Sequence, residues 1–335
     1  MRKCVPNILK IQAFDGIQIK MRSLKFDKLA DFSKHVTRLN VNATQTTSGH
    51  FKYEEKSLIL PLLDIHYWRL STGMVYTLTV NEDRFLLSLP VHRSSQIING
   101  KTLGPSSTVS FLPNEELLLR HPENISSLDF SASISVFCKH FRNSNTAEFM
   151  QLIELHRKNQ SVNKYNESKQ RELVRLTLNV MAKIDSLNYQ ALLDAQDAIL
   201  MGIYDLLMLG RGELVSQTHS NRLSVVKRAI ATLDMQPEKV IGVVELSDRC
   251  FCSIRTLEYA FKTILNMTPK EYLVLRRMSL VKKEIETKPQ KSILEITLKY
   301  GVLNAGRFAK DYFRLFGTSP SETRKKHKIN AYSLV

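Results

Sequence analysis

Four cysteines in 335 residues are too few and too scattered to frame a disulfide-stapled fold. No C-x-x-C occurs. Cys250 and Cys252 form C-x-C with no histidine beside them, a poor zinc pattern, so Cys4, Cys138, Cys250 and Cys252 read as free thiols. Long apolar runs are missing too. The two longest, near Leu58–Leu63 and Ala198–Leu209, are broken by Pro61 and Asp205 and fall short of the ~20 residues of a membrane span. Lys10 and Gln12 interrupt any signal-peptide core. A cytoplasmic protein without a membrane partner is therefore expected. No H-E-x-x-H, G-x-S-x-G or Walker-type glycine loop occurs, and the nine histidines include no H-x-H. No catalytic residue, metal or cofactor is expected, and no enzymatic activity.

Acidic residues are also short: 32 Asp and Glu stand against 48 Lys and Arg, a net charge of +16. Such a balance favours a polyanionic partner, nucleic acid before an acidic membrane surface. The excess is uneven. From Arg222 to the end there are 22 basic and 11 acidic residues; the residues before it hold 26 and 21. The polyanion is to be sought in the last third.

Residues 45–137 read as strands. Short alternating or apolar runs recur between turn signals, and Asn99-Gly100-Lys101 is a hairpin signal. Leu128 to Val136 alternates, which predicts one buried and one polar face. A β-barrel or sandwich follows from so many short strands, preceded by a helix around Phe26–Leu39. From Asn145 to about Gly210 the pattern is helical. Leu173, Leu176, Val180 and Ile184 form one stripe. Ala191–Leu209 is apolar nearly all round, which predicts burial against the barrel or against a second copy of the chain. The polar stretch 211–221 reads as a linker.

The last third contains an internal repeat. SIRTLEYAFKTILNMTP (Ser253–Pro269) and NAGRFAKDYFRLFGTSP (Asn304–Pro320) match at an offset of 51. Ser253 and Asn304 are N-cap types. Leu257, Phe261 and Leu265 recur as Phe308, Tyr312 and Phe316, one buried stripe each. Asn266 and Gly317 suit a left-handed C-terminal position. Thr268-Pro269 and Ser319-Pro320 start new helices, with Glu271 and Glu322 completing capping boxes. A short helix precedes each copy, VVELSDRC and ILEITLKY, with Ser247 and Thr297 where the paired helices cross. Helix, tight turn and N-capped second helix is the helix-turn-helix pattern. The 17 residues Lys270–Glu286, about 25 Å as a helix, would hold the two units about one DNA turn apart.

With these residues in view, Arg222 to His327 resembles the DNA-binding region of the AraC/XylS family of bacterial transcription regulators. The resemblance rests on S-x-R-T-L-x-x-A-F (Ser253–Phe261), P-x-x-Y-L-x-x-x-R (Pro269–Arg277) and F-x-x-x-Y…F-G-x-S-P (Phe308–Pro320). It implies an α+β chain: an N-terminal cupin-like β-barrel with dimerisation helices over 1–210, a linker at 211–221, and an all-α region over 222–327 with two helix-turn-helix units joined by a linker helix. It also implies an activator that binds promoter DNA as a homodimer, contacts RNA polymerase and answers to a small-molecule effector. Two departures stand out: Phe251 replaces the glycine common in the first turn, and the second turn reads Gly301-Val302 rather than Gly-Phe.

In the first recognition helix the buried stripe leaves Arg255, Glu258, Tyr259 and Lys262 outward, with Ser253 and Thr256 at its start. Arg255 is best placed for a bidentate contact to guanine. Glu258 would accept from cytosine or orient Arg255. In the second, Ala305, Gly306, Arg307, Lys310 and Arg314 face outward, and Arg307 and Lys310 are expected to make the contacts, weighted toward phosphate or a degenerate sequence. Arg276, Arg277, Lys282 and Lys283 are expected to support the linker helix or touch DNA backbone rather than read bases. In the barrel, Asp64, His66 and Trp68 share one strand face and are the candidate effector contacts. Two other functions compete: an alkyl-transfer DNA-repair enzyme, although neither Cys4 nor Cys138 has the sequence setting such a thiol needs, and an architectural protein that coats DNA without sequence preference.

Overall fold

The computed structural model describes residues 7–14, 17–36, 43–80, 83–91, 95–103, 108–111, 113–141, 147, 149–151, 164–208 and 217–332. Cys4 and most of the expected linker lie outside them. Two antiparallel sheets build the front half. One runs Asn7–Phe14 (β1), Ile17–Phe26 (β2), Tyr53–Ile59 (β4), Asp64–Leu70 (β5), Ile125–Ser133 (β12), Arg84–Pro90 (β7) and Val109–Phe111 (β10) in spatial order. The other runs Thr44–Gln45 (β3), Met74–Thr79 (β6), Glu116–His121 (β11), Gln96–Ile98 (β8) and Lys101–Leu103 (β9). Asn99 (φ 50°) and Gly100 (φ 77°) make the tight turn between β8 and β9, as the Asn-Gly pair predicts.

Two strands precede the expected start at residue 45. In β2 the alternation Ile17, Ile19, Met21 is a strand signal, and β2 pairs with β4 from Lys20 to Phe26. The helix expected around Phe26–Leu39 is shorter, Leu29–Val36 (α1). The alternating run 128–136 also ends early. Asp83 O accepts from Ile134 N, and Ile134–His140 turns into a helix (α2).

Helices Lys164–Ala182 (α3) and Tyr189–Met208 (α4) pack on the outer face of the seven-stranded sheet. Leu192, Ile199, Leu200, Ile203, Leu206 and Leu207 of α4 are all buried there with Leu58, Ile65, Leu87 and Phe130. The chain's own barrel thus accounts for most of this helix's apolar surface. Among the described residues its exposed remainder is Gln190, Asp194, Asp197, Ala198 and Met201.

Seven helices follow: Gln217–Met235 (α5), Val243–Arg249 (α6), Ile254–Leu265 (α7), Pro269–Thr287 (α8), Ile293–Lys299 (α9), Ala305–Phe316 (α10) and Pro320–Tyr332 (α11). The first of these begins inside the stretch read as linker. Two cores form. Leu246, Leu257, Phe261 and Leu265 close with α5 and with Tyr272 of α8. Ile296, Phe308, Tyr312 and Phe316 close with Met278, Val281 and Ile285 of α8. One 19-residue helix, about 28 Å long at ~1.5 Å per residue, therefore serves both cores.

The repeat is realised bond by bond. Ser253 Oγ accepts from Thr256 N (3.1 Å) and Asn304 Oδ1 from Arg307 N (2.9 Å). Asn266 and Gly317 are left-handed at φ 49° and 68°. Thr268 Oγ1 accepts from Glu271 N (3.1 Å) while Glu271 Oε2 accepts from Thr268 N (2.7 Å). Ser319 and Glu322 repeat the exchange at 3.2 and 2.8 Å. Ser247 and Thr297 are both buried at their helix crossings. The turns differ, however. Between α6 and α7 lie Cys250–Ser253; between α9 and α10 lie Tyr300–Asn304, one residue more. The left-handed position falls on Gly301 in the second turn, where an added Cβ would sit 2.4 Å from Val240 Cγ2. In the first it falls on Phe251, at φ 52° and 89% exposed. A side chain there costs about 1–2 kcal/mol, and burial returns nothing.

Of the four basic residues of α8 set aside above, Arg276 and Lys282 are buried. Arg276 donates to Leu233 O (2.7 Å) and Asp234 Oδ1 (2.8 Å), which ties α8 to α5. Lys282 Nζ lies 4.4 Å above the Phe316 ring and 3.9 Å from Glu286.

Two stability predictions follow. Arg276→Ala removes a buried side chain and the donor to Leu233 O and Asp234 Oδ1, and should cost about 1–3 kcal/mol; a loss below about 0.5 kcal/mol in urea denaturation would contradict that role. Phe251→Gly should raise stability by about 1 kcal/mol. A drop in stability would mean that the exposed ring makes contacts the turn geometry does not require.

Candidate nucleic-acid interface and barrel cavity

Each recognition helix buries one stripe and bares the other. On α7, Ser253, Arg255, Thr256, Glu258, Tyr259 and Lys262 are all exposed, while Leu257, Ala260, Phe261, Ile264 and Leu265 are buried. Thr256 Oγ1 is bonded to Ser253 Oγ (2.8 Å), so these two hydroxyls share one cap. Among the described residues no ion pair joins Glu258 to Arg255, which leaves both groups at the surface. Tyr259 has an unexpected neighbour: the Arg222 guanidinium stacks 4.5 Å above its ring. Arg222 thus brings a third cation, beside Arg255 and Lys262, to this face from α5. Only the long-range packing of α5 on α7 puts it there, so neither periodicity nor spacing marks it.

On α10, Ala305, Gly306, Arg307, Lys310, Phe313 and Arg314 are exposed. Asp311 pairs with Arg314 (2.8 Å) and lies 3.8 Å from Arg307, which tempers both charges. An added Cβ on Gly306 would meet nothing closer than 3.8 Å, so intrachain packing does not demand glycine there. Both units thus present a basic, N-capped helix, but α7 carries planar and hydrogen-bonding groups where α10 carries small residues and Lys310.

The barrel grips both helices at their last turns. Arg120 of β11 donates to Leu265 O at the end of α7. At the end of α10, Leu315 O accepts from Gly49 N (2.9 Å) and Gln45 Nε2 (3.1 Å). Gln45 N also donates to Ser279 Oγ of α8 (3.1 Å). These cations and amides meet carbonyls that a helix end leaves unpaired.

Inside the barrel, polarity runs opposite to expectation. The apolar face of β12, with Leu128, Phe130 and Ala132, packs under α3 and α4. Its polar face, Ser127 and Asp129, points inward rather than to solvent. There it meets a cavity of about 160 Å³, whose wall includes Tyr53, Glu55, His66, Trp68, Tyr76 and His121. His66 and Trp68 are therefore brought together, but Asp64 is not. It lies at the strand's end, held by Arg84 at 2.9 Å.

Two carboxylates in this wall are engaged on the protein side. Glu55 accepts from Tyr53 OH and Ser57 Oγ (both 2.6 Å) and faces His66 Nδ1 (2.9 Å). Asp129 accepts from Ser88 Oγ (2.6 Å) and Trp68 Nε1 (2.7 Å). Burial pushes the Asp129 carboxyl above its ordinary pKa despite these donors. For His66, burial pulls the pKa down, but the Glu55 bond and charge outweigh it and hold it above the usual value. Burial drives His121 down to about 3, so its ring is neutral. Neither Glu55 nor Asp129 is among the contacts expected from sequence. Their signal was a charge on an otherwise buried strand, which on local evidence reads as the solvent face.

Among the described residues no helix is long and apolar enough to cross a membrane, and no three His, Cys, Asp or Glu side chains are grouped to hold a metal ion.

Residues 246–326 match a helix-turn-helix domain family. The XylDLEGF operon transcriptional activator 2 of Pseudomonas putida is 30% identical over 105 residues, 31% of this chain and 67% of that protein. The probable thc operon regulatory protein of Rhodococcus erythropolis is 30% identical over 100 residues, 29% of this chain; the match spans 30% of its length. Among solved structures, the AraC-like transcriptional activator CuxR aligns over 76% of this chain and 93% of its own, at 12% identity and a TM-score of 0.43. The sequence matches fall on the basic, doubly repeated helices described above, and the chain belongs to the AraC/XylS family of DNA-binding transcription regulators.

Proposed function

We propose that the chain is a cytoplasmic, promoter-specific activator that reads double-stranded DNA with α7 and α10. It works as a homodimer beside RNA polymerase, under the control of a small effector held in the barrel cavity. One observation carries this reading: two capped helices with basic outer faces stand on one shared helix, α8, and a ligand-sized cavity lies in the sheet that grips both of them.

The division of labour follows from the side chains. Arg255, in the first turn of α7, offers a planar fork that matches guanine, with Glu258, Tyr259 and Lys262 beside it. Lys310 and Arg307 of α10 supply charge to phosphate. Ser253, Thr256, Ala305, Gly306 and Arg314 complete the two faces. His66 and Trp68 belong to the effector wall, and Asp64 braces the strand end. The dimer contact is assigned to the outer side of α3 and α4, where Ala198 and Met201 remain exposed. No catalytic role is assigned. Cys138, one of the two thiols weighed for alkyl transfer, is 6% exposed in the main core, which counts against that reading.

A protected footprint on a limited set of promoters is the expected result; uniform coating of DNA would favour the architectural reading. Arg255→Ala should weaken operator binding by about 1–3 kcal/mol and relax preference at one base pair, with little change on random DNA. Lys310→Ala should weaken binding to every sequence alike and lower the salt-dependence slope by about one. An unchanged slope with altered base preference would make α10 a base reader.

A further inference from the structure

We propose that the barrel cavity takes a small organic cation, an alkylammonium or quaternary ammonium ion. Asp129 and Glu55 supply the charge that holds it, and Tyr53, Trp68, Tyr76 and Phe111 form its aromatic wall. The proposal rests on the reading that this cavity is the effector site, and it names the chemistry of that site.

Charge is the first argument. Among the described residues the wall contains two carboxylates, Glu55 and Asp129, and no lysine or arginine. The one charge-bearing basic group among them is His66, whose Nδ1 is already committed to Glu55 at 2.9 Å. His121 is neutral. Asp129 therefore faces the cavity with hydroxyl and indole donors but no cation of its own. An anionic ligand would meet Asp129 beside a Glu55 that already engages His66. A purely apolar one would leave the Asp129 charge facing apolar atoms, which is disfavoured.

The wall itself is the second argument. Tyr53 and Trp68 stack with centroids 6.3 Å apart, and Trp68 meets His121 edge-on at 5.2 Å. Aromatic faces grouped around buried carboxylates are the surroundings that stabilise ammonium ions, through the negative face of each ring. Third, His121 is 3% exposed, and its Nδ1 has no hydrogen-bond partner. Its Nε2 lies 2.9 Å from Tyr76 OH. With Nε2–H donating to Tyr76, Nδ1 is a bare acceptor that an ammonium N–H would satisfy. Size is the fourth. About 160 Å³ is well below the roughly 300–1,000 Å³ of drug-sized sites, so the ion has only a few heavy atoms.

The same wall reaches the DNA-binding helices. Along β11, Leu117, Leu119 and His121 face the cavity. The alternate residue Leu118 packs into the core of the first helix-turn-helix unit, and Arg120 holds the last turn of α7. One strand thus touches ligand on one face and recognition helix on the other.

The test is a calorimetric titration of the full-length protein with n-propylammonium and tetramethylammonium chlorides, beside sodium propionate and n-propanol. Saturable binding of at least one cation, one per chain, is expected, with no saturable binding of the anion or alcohol. Asp129→Asn should weaken the cation at least tenfold, and Asp194→Asn, an exposed carboxylate on α4, should leave it unchanged. The wild-type panel decides the ligand class without any variant. Saturable binding of propionate or propanol alone, abolished by the cavity-filling Leu119→Trp, would overturn the cation and spare the effector site. Cation binding that survives both Asp129→Asn and Leu119→Trp would place the ion elsewhere and overturn the proposal. If no probe of any class binds up to tens of millimolar, both fall. If a cation binds in the cavity and operator affinity stays the same, the ligand assignment stands and the effector reading fails.

Discussion

The hold of the five-stranded sheet on the last turns of α7 and α10 is the constraint on which the other relations in the molecule depend. A helix ends with carbonyls that lack intrahelical partners, and something must supply donors to them. Here the donors come from another part of the chain. Arg120 serves Leu265; Gln45 and Gly49 serve Leu315. Because the partners are backbone carbonyls, the contacts fix where each helix ends, not merely which side chains touch. The shared helix α8 sets the distance between the two units, and the sheet fixes their orientation against the barrel.

That arrangement explains the unusual burial of the sheet strands. In the seven-stranded sheet, β2, β4, β5, β7 and β12 are covered on one side by α3 and α4. In the five-stranded sheet, β3, β6 and β11 lie against the helix-turn-helix units. Val75 and Leu118, on β6 and β11, belong to the same core as Phe261 and Leu265. A packed interior transmits displacement rather than absorbing it. A change in the cavity wall at Tyr76 or Leu119 is therefore separated from α7 by the thickness of one strand.

Legibility followed the range of the interactions. The repeat could be read in detail because caps, left-handed C-termini and i, i+4 stripes are decided within a few residues. Ser253, Asn304, Thr268 and Ser319 each make the bond their type and position imply. The outward faces of α7 and α10 came from the same local rule. The barrel was legible as strands but not as an interior. Alternation fixes which residues share a face and is silent on which face meets water. Asp129 thus read as the wet side of β12 when it lines a cavity. Its neighbour across the strands, His66, was found because an aromatic residue stood two positions on. Asp64 followed the same alternation, but it lies at the strand's end, where Arg84 claims it. Nothing local could reveal Arg222 over Tyr259, nor Gln45 under Leu315, 270 residues away.

The extra residue in the second turn gives the molecule a head and a tail. Over the recognition helices the two units superpose by an offset of 51, but over the helices before them the offset is 50. The second helix therefore leaves its turn differently from the first and bears different side chains. A single chain is thus not a pair of equivalent readers. Reversing the DNA site beneath it would exchange unlike helices, so a bound chain has a defined polarity along the duplex. On the proposed reading, unlike turns and unlike side chains together tell the two directions along the duplex apart before any partner protein arrives.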